Sequence, residues 1–440
     1  ADVVFDGFVK DEEWAGSEYY DLPFEIEPSY NTAAEHKTDV FIKHDESNLY
    51  VAFRAFGNKD YIRANIRSRD GINWLDDHVA VGIDTYGDGR YYIRFASNPL
   101  GSIGDNKVDS SDNFDGSYNV EFDAKAHLTD YGYEVEFKIP FSSLNFPALK
   151  EQKWTLMLSR KLYNKGTEAR YMNYKKIDGA GCIICQSDEF YTLKDVKKKN
   201  KKRLIPSFTA NSITERNNDG NMNEEPIDSE FTLGGEYEFD GNNFEFTLNP
   251  DFSQVEADQS KIDVNQTTAL RFEERRIFFN EGKDFLSSDL AAVYTRSIND
   301  PEYALKLYNR GEKHSYYFLD AEDNATPIIV PGYQRSYSGL LGKSHANIFS
   351  YNYNLENGQN IGFLATNRDY EDGGKNSLYS FRGKFLFNDI YSTKFELVST
   401  TMDEPISDVI NTSNVSKEHT YNLDGESFDG YGGVFGLARD

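Results

Sequence analysis

The feature that most limits what this chain can become is an alternation of period two that recurs along its length. Leu49, Val51, Phe53 and Ala55 alternate with Tyr50, Ala52 and Arg54. Tyr133, Val135, Phe137 and Ile139 alternate with Glu134, Glu136 and Lys138 until Pro140 stops the run. Successive side chains of a strand point to opposite faces, so this pattern predicts strands; a helix would need apolar residues every three to four positions. Helical spacing is hard to find anywhere. Aromatics reach 15% of the residues, with 30 Tyr and 32 Phe, and these favour pleated surfaces. The predicted class is all-β, and 440 residues are enough for two or three domains.

The pattern changes along the chain. Up to residue 195 the strands are short and separated by turn clusters such as "HDESN", which suits a β-sandwich with one wet face per sheet. The run "KDVKKKNKKR" (194–203) cannot pack, so residues 196–203 read as a solvated basic linker, with an anionic lipid surface as the sharper alternative. From residue 204 the strands lengthen. Phe244, Phe246 and Leu248 alternate with Glu245 and Thr247; Phe349, Tyr351, Tyr353 and Leu355 alternate with Ser350, Asn352 and Asn354. Tyr379, Phe381, Phe385 and Phe387 oppose Ser380, Arg382 and Lys384, and after a tight turn at Asn388-Asp389 come Tyr391, Thr393, Phe395 and Leu397. Strands of about ten residues, aromatic on one face and polar on the other, are the weak signature of an outer-membrane barrel, although a soluble sandwich gives similar alternation. The predicted architecture is a sandwich (1–195) followed by roughly eight to ten antiparallel strands of an outer-membrane-type barrel (204–440). Tyr431, Gly433, Phe435 and Leu437 read as a last strand with no partner after it, so the barrel is expected to need strands beyond residue 440.

A net charge of −26 excludes a general nucleic-acid binder, because phosphates would be repelled. No run of 18 apolar residues is present, so no transmembrane helix is expected. The start at Ala1-Asp2, without Met or an apolar leader, resembles a chain after signal-peptide removal. The localisation expected is outer membrane, or else extracellular or periplasmic. Cys182 and Cys185 lack a second pair and a βαβ setting, so a local disulfide is favoured over a zinc or redox role. Trp14 and Trp154 sit in strand-like frames and are expected to be core.

Two blocks carry a resemblance. "FDGFVKDEEWAG" (5–16), "TDVFIKHDESNLYVAFRAF" (38–56), "INWLDDHVAVGID" (72–84) and "GYEVEFKIPFSSL" (132–144) resemble carbohydrate-binding module family 9, a β-sandwich. "LNPDFSQVEADQSKIDVNQTTALRFEERRIFFNEGKDFL" (248–286) resembles the signature of uncharacterised family 5916, whose members look like outer-membrane proteins with such a sandwich before a barrel. The first resemblance implies a sugar held between two tryptophans, with Trp74 as the first and Arg94 as a hydroxyl-gripping arginine. Ala80 stands where an acidic residue is expected, and Ile184, in a Cys-x-x-Cys loop, stands near the second tryptophan. Tyr118 is a further aromatic candidate. The implied site is degenerate, with glycan binding or docking of a cell-surface partner as its roles.

No nucleophile elbow, phosphate loop or His-Glu-x-x-His is present, and the seven histidines are scattered, so catalysis is not expected. Calcium is the one candidate cofactor: "DTYGDG" offers Asp84 and Asp88, and "GDNKVDSSDNFDG" offers Asp105, Asp109, Asp112 and Asp115. Acidic solvated loops are the plainer reading of both. In "RFEERRIFFNEGKDF" the charges of Glu273, Glu274, Arg275, Arg276 and Glu281 could pair inside a barrel lumen while Phe272, Phe278, Phe279 and Phe285 anchor the segment. The plainer reading, a motif joining domain to barrel, is preferred. The function expected is an outer-membrane protein whose sandwich weakly binds glycan or docks a partner; a secreted, soluble, two-domain glycan binder is the alternative.

Overall fold

The computed structural model describes residues 3–72, 76–116, 118–147, 149–164, 166–178, 180–194, 196, 200, 202–212, 214–216, 222–224, 228–250, 274, 276–331, 336–387, 391–412, 415, 416 and 419–439. Trp74, Phe272, Glu273, Arg275, the Asn388-Asp389 turn and most of the block 248–286 upstream of Arg276 lie outside these residues.

The regular structure among the described residues is almost entirely strand, and these strands pair antiparallel. In the first domain a five-stranded sheet runs Glu18–Asp21, Thr38–His44, Asn48–Phe56, Gly132–Pro140, Asp123–Thr129. It faces a nine-stranded sheet centred on Glu151–Asn164, His78–Asp84, Tyr91–Ser97 and Ile103–Asp109. The alternating residues of the sequence meet between them: Val51, Phe53, Val135 and Phe137 from one sheet pack on Val81, Ile93, Phe95 and Leu156 from the other. Trp154 is fully buried at one end of this core, edge-on to Phe141, and its ring nitrogen donates to Gln152.

The expectation of one wet face per sheet fails on both sides. Glu134 and Glu136 are buried beneath residues 5–14, where Glu136 accepts the backbone N–H groups of Asp6 and Gly7 and the indole N–H of Trp14. The carboxylates there satisfy the amides of an irregular segment, which is what lets it lie on the sheet. Trp14 is therefore buried, but outside the inter-sheet core. On the nine-stranded sheet, Cys182 and Cys185 are disulfide-bonded and carry Ile184 down onto Tyr92, Met157 and Met172. Gly89 has φ +73, and a Cβ there would meet the Cys185 sulfur at 2.4 Å, so the turn after Asp84 must be glycine for the loop to seat.

The second domain is one ten-stranded sheet in the order Lys202–Asn211, Asp228–Phe239, Asn242–Leu248, Pro301–Arg310, His314–Asp323, Ser344–Asn354, Asn360–Tyr370, Lys375–Phe387, Tyr391–Asp403, Ser427–Arg439. It does not close: among the described residues neither Lys202–Asn211 nor Ser427–Arg439 pairs on its outer side. One face is apolar and exposed. The register sets Phe208 opposite Phe231, Phe318 opposite Phe349, Phe363 opposite Phe381, Phe381 opposite Leu397 and Phe395 opposite Phe435. Phe208 is 69% exposed and Phe435 73%. The other face carries Glu245, Lys306, Tyr308, Arg310, Ser350, Ser380 and Glu396, all buried.

What buries them is the stretch 276–298, expected from its sequence to be a simple joint. It lies along the polar face and packs Phe279, Phe285, Leu286 and Ile298 against Tyr308, Tyr317, Leu319 and Ile348. Lys306, 2.7 Å from Glu245, donates to the carbonyls of Phe278 and Glu281. Arg382 and Ser350 donate to the Phe285 carbonyl, and Glu396 accepts from the Ser288 hydroxyl and the Leu290 amide. Arg276 holds Glu274 at 2.7 Å. These charges do more than join two parts of the chain: they pair with one another and with the backbone of an irregular segment, whose groups need partners wherever water is displaced.

Candidate functional site

The sandwich rests on one end of the sheet. Lys107, from strand Ile103–Asp109, meets Asp284 at 2.6 Å, and Arg310, the last residue of its own strand, grips the same carboxylate. Arg90 donates to the Ser315 hydroxyl, Lys384 to the Ser110 carbonyl, and the Gly358 amide to the Asp88 carbonyl. Lys283 pairs with Asp115 at 3.2 Å. Between these contacts lies a cleft of about 810 Å³.

Its lining decides what it suits. The chain carries −26, yet seven Lys/Arg and six Asp/Glu face the cleft, so its charge is close to balanced. Many of those ions are already paired with one another. Ser110, Ser287, Ser288, Asn352, Asn354 and Asn360 add neutral donors and acceptors, and Tyr91, Tyr118 and Tyr294 add ring faces. Hydroxyl and amide groups that both donate and accept, beside aromatic surface, match a neutral polyhydroxylated ligand better than a strongly charged one. Burial lowers the Lys107 ammonium from its ordinary range, with Arg310 acting in the same direction and Asp284 opposing.

Of the sugar-site candidates, Trp74 lies outside the described residues, and Arg94 and Tyr118 are apart. Arg94 points to the outer face of the nine-stranded sheet, with Tyr92, and lies 2.8 Å from His78 Nε2. The His78 Nδ1 faces the Asp76 carbonyl at 3.1 Å, so it carries the proton and Nε2 accepts from Arg94. Burial, then Arg94, drives His78 down to about 3. Tyr118 belongs to the opposite side, packed on the inter-sheet core with Lys107 over its ring at 5.4 Å. It lines the cleft instead.

The calcium candidates are occupied by the fold. Asp84 accepts the amides of Tyr86, Gly87 and Gly89, and burial followed by the nearby Asp88 raises it to about 7. Asp88 holds Arg90 at 2.6 Å, and Asp105 holds Arg69 and the Val120 amide. Asp109 caps its own turn through Ser111 and Asn113. Asp112 accepts the Ile183 amide, tying that turn to the disulfide loop. Each of these carboxylates has a hydrogen-bond or ion-pair partner within the fold.

Sequence reasoning does not find Lys107, Asp284, Arg310, Arg382 and Lys384. A signal for two of them exists: in "SFRGKF" Arg382 and Lys384 alternate with Phe381 and Phe385, which sets cations and aromatics on opposite faces of one strand.

No family model and no curated protein matches the chain. Among solved structures, it is similar to a putative carbohydrate-binding protein from Bacteroides uniformis, at 14% identity over 41% of this chain and 86% of that one, with a TM-score of 0.31. A likeness at that level carries no argument, and the functional reading rests on the geometry.

Proposed function

We propose that this chain is part of an outer-membrane β-barrel protein, with the ten-stranded sheet as barrel wall, residues 276–298 as a segment folded into the lumen, and the sandwich as a stopper. The observation that carries the reading is the inverted sheet: a continuous apolar face in the open, from Phe208 to Phe435, opposite a buried face of charges. Water-soluble sheets hide the apolar side, and an exposed apolar surface spanning ten strands marks contact with lipid.

The loops give the orientation. Turns 240–241, 311–313 and 355–359 lie at the end where the sandwich docks, whereas 249–300, 324–343 and 404–426 leave from the other, with 371–374 the short exception. Bacterial barrels keep short turns on the periplasmic side. The sandwich therefore sits in the periplasm, and the cleft above it is where a neutral glycan passing through or held by the protein would rest.

The test is cell fractionation. Retention in outer membranes through salt and carbonate washes, with release only by detergent, is the expected result. Release by salt alone would favour the secreted, soluble form and end the barrel reading. For the glycan, Tyr118→Ala should weaken retention on a neutral polysaccharide matrix by about tenfold, the scale of one aromatic contact. Unchanged retention would remove the cleft from the proposal.

A further inference from the structure

The insertion 404–426 leaves the sheet after strand Tyr391–Asp403 and returns at Ser427–Arg439. Its neck is pinned by the Glu404 amide donating to the Glu426 carbonyl at 2.9 Å, and its body packs Ile410 and Leu423 on Ile328 and Leu341 of the neighbouring hairpin. At that neck Glu404, Asp424 and Glu426 each bring a carboxylate oxygen to within 4.8 Å of the other two. Three carboxylates gathered so closely repel one another.

A second observation points to a ligand. Glu404 is only 9% exposed, and its Oε2 is shielded from solvent with no hydrogen-bond partner among the described residues. A buried carboxylate oxygen left bare is costly, and native structures keep one where something else binds it. Asp424 accepts from Thr420, and His419 lies 3.3 Å from Glu426; the Glu404 carboxylate takes backbone hydrogen bonds from Asp424 and Glu426, which leaves its Oε2 as the free oxygen among the described residues. Two oxygens held about 2.4 Å from one calcium ion lie no more than about 4.8 Å apart, and the three carboxylates keep their oxygens within that limit. We infer that Glu404, Asp424 and Glu426 form a calcium site that clamps the neck of the 404–426 loop. The site is distinct from the aspartates of the sandwich, and the inference stands whether or not the sheet lies in a membrane.

The experiment uses the purified full chain after chelation. Terbium luminescence with calcium competition should report a site of roughly 10⁻⁴ to 10⁻³ M affinity, the range of extracellular calcium modules. Millimolar calcium should slow proteolysis within 404–426. Glu404→Gln, which keeps size and shape, should weaken calcium at least tenfold and abolish the protection, and Glu426→Gln should do the same; the exposed Asp130→Asn should change neither. Calcium affinity equal in the parent and both glutamine variants would overturn the assignment. So would the absence of calcium binding in the parent, or tighter binding of magnesium than of calcium.

Discussion

The sandwich and the ten-stranded sheet are written in the same alternating pattern and use it in opposite senses. In the sandwich, Phe53, Val81, Phe95 and Val135 face a neighbouring sheet and are fully buried. In the large sheet, Phe349, Phe363, Phe381 and Leu397 face outward, while Lys306, Ser350 and Glu396 are hidden. Period-two alternation fixes that two faces differ; it does not say which one is inside. The environment decides that, and the two halves of this chain answer differently.

The comparison can be broken at several points. Trp154→Ala should cost about 3–5 kcal/mol of sandwich stability, since it empties a closed core, measured by denaturant titration of the full chain. Phe435→Ala, on an open face, should change denaturant stability by less than about 0.5 kcal/mol. A similar cost for both would erase the distinction between the halves. Lys306→Met should cost about 3 kcal/mol, because Glu245 would be left buried without its partner. The double replacement Lys306→Met with Glu245→Leu should recover most of that. Phe381→Arg should hinder membrane insertion by about 2–4 kcal/mol if its place is near the bilayer midplane.

A smaller effect concerns pH. Asp84 is raised to about 7 in the folded sandwich against 3.8 ordinarily, mainly by burial. The folded form therefore holds its proton longer, so the stability it contributes is complete below about pH 4 and is lost as pH rises towards 7. Asp84→Asn should flatten that loss, by on the order of 1 kcal/mol per pH unit, when stability is followed between pH 4 and 7. An unchanged slope would mean that Asp84 titrates as an ordinary carboxylate. His78, held neutral down to about 3, works the other way: stability falls as pH drops below 6.5, and replacing it should lessen that acid sensitivity.

How much of this was legible depended on range. The strands at Asn48–Phe56, Gly132–Pro140, Ser344–Asn354 and Lys375–Phe387 follow directly from local alternation, as do buried Trp14 and Trp154. The covers were not legible, because Trp14 and residues 5–14 meet Glu136 across more than a hundred positions. The cleft was hidden for the same reason: Lys107 and Asp284 lie 177 residues apart, and neither has a local signature. The motif holding Asp284 stands out in the sequence, but charges mixed with phenylalanine read most plainly as a joint between domains. That the segment packs along the polar face of the sheet is visible only once the sheet is built.

The central claim is that the sheet's two faces meet different media. Single cysteines placed at Phe381 and Leu397, and at their neighbours Ser380 and Glu396, can each carry a fluorophore in the native membrane or in proteoliposomes. Brominated acyl chains are expected to quench the labels at 381 and 397 and to leave those at 380 and 396 bright. Equal quenching at all four positions, or quenching of all four by aqueous iodide alone, would contradict a lipid-facing sheet.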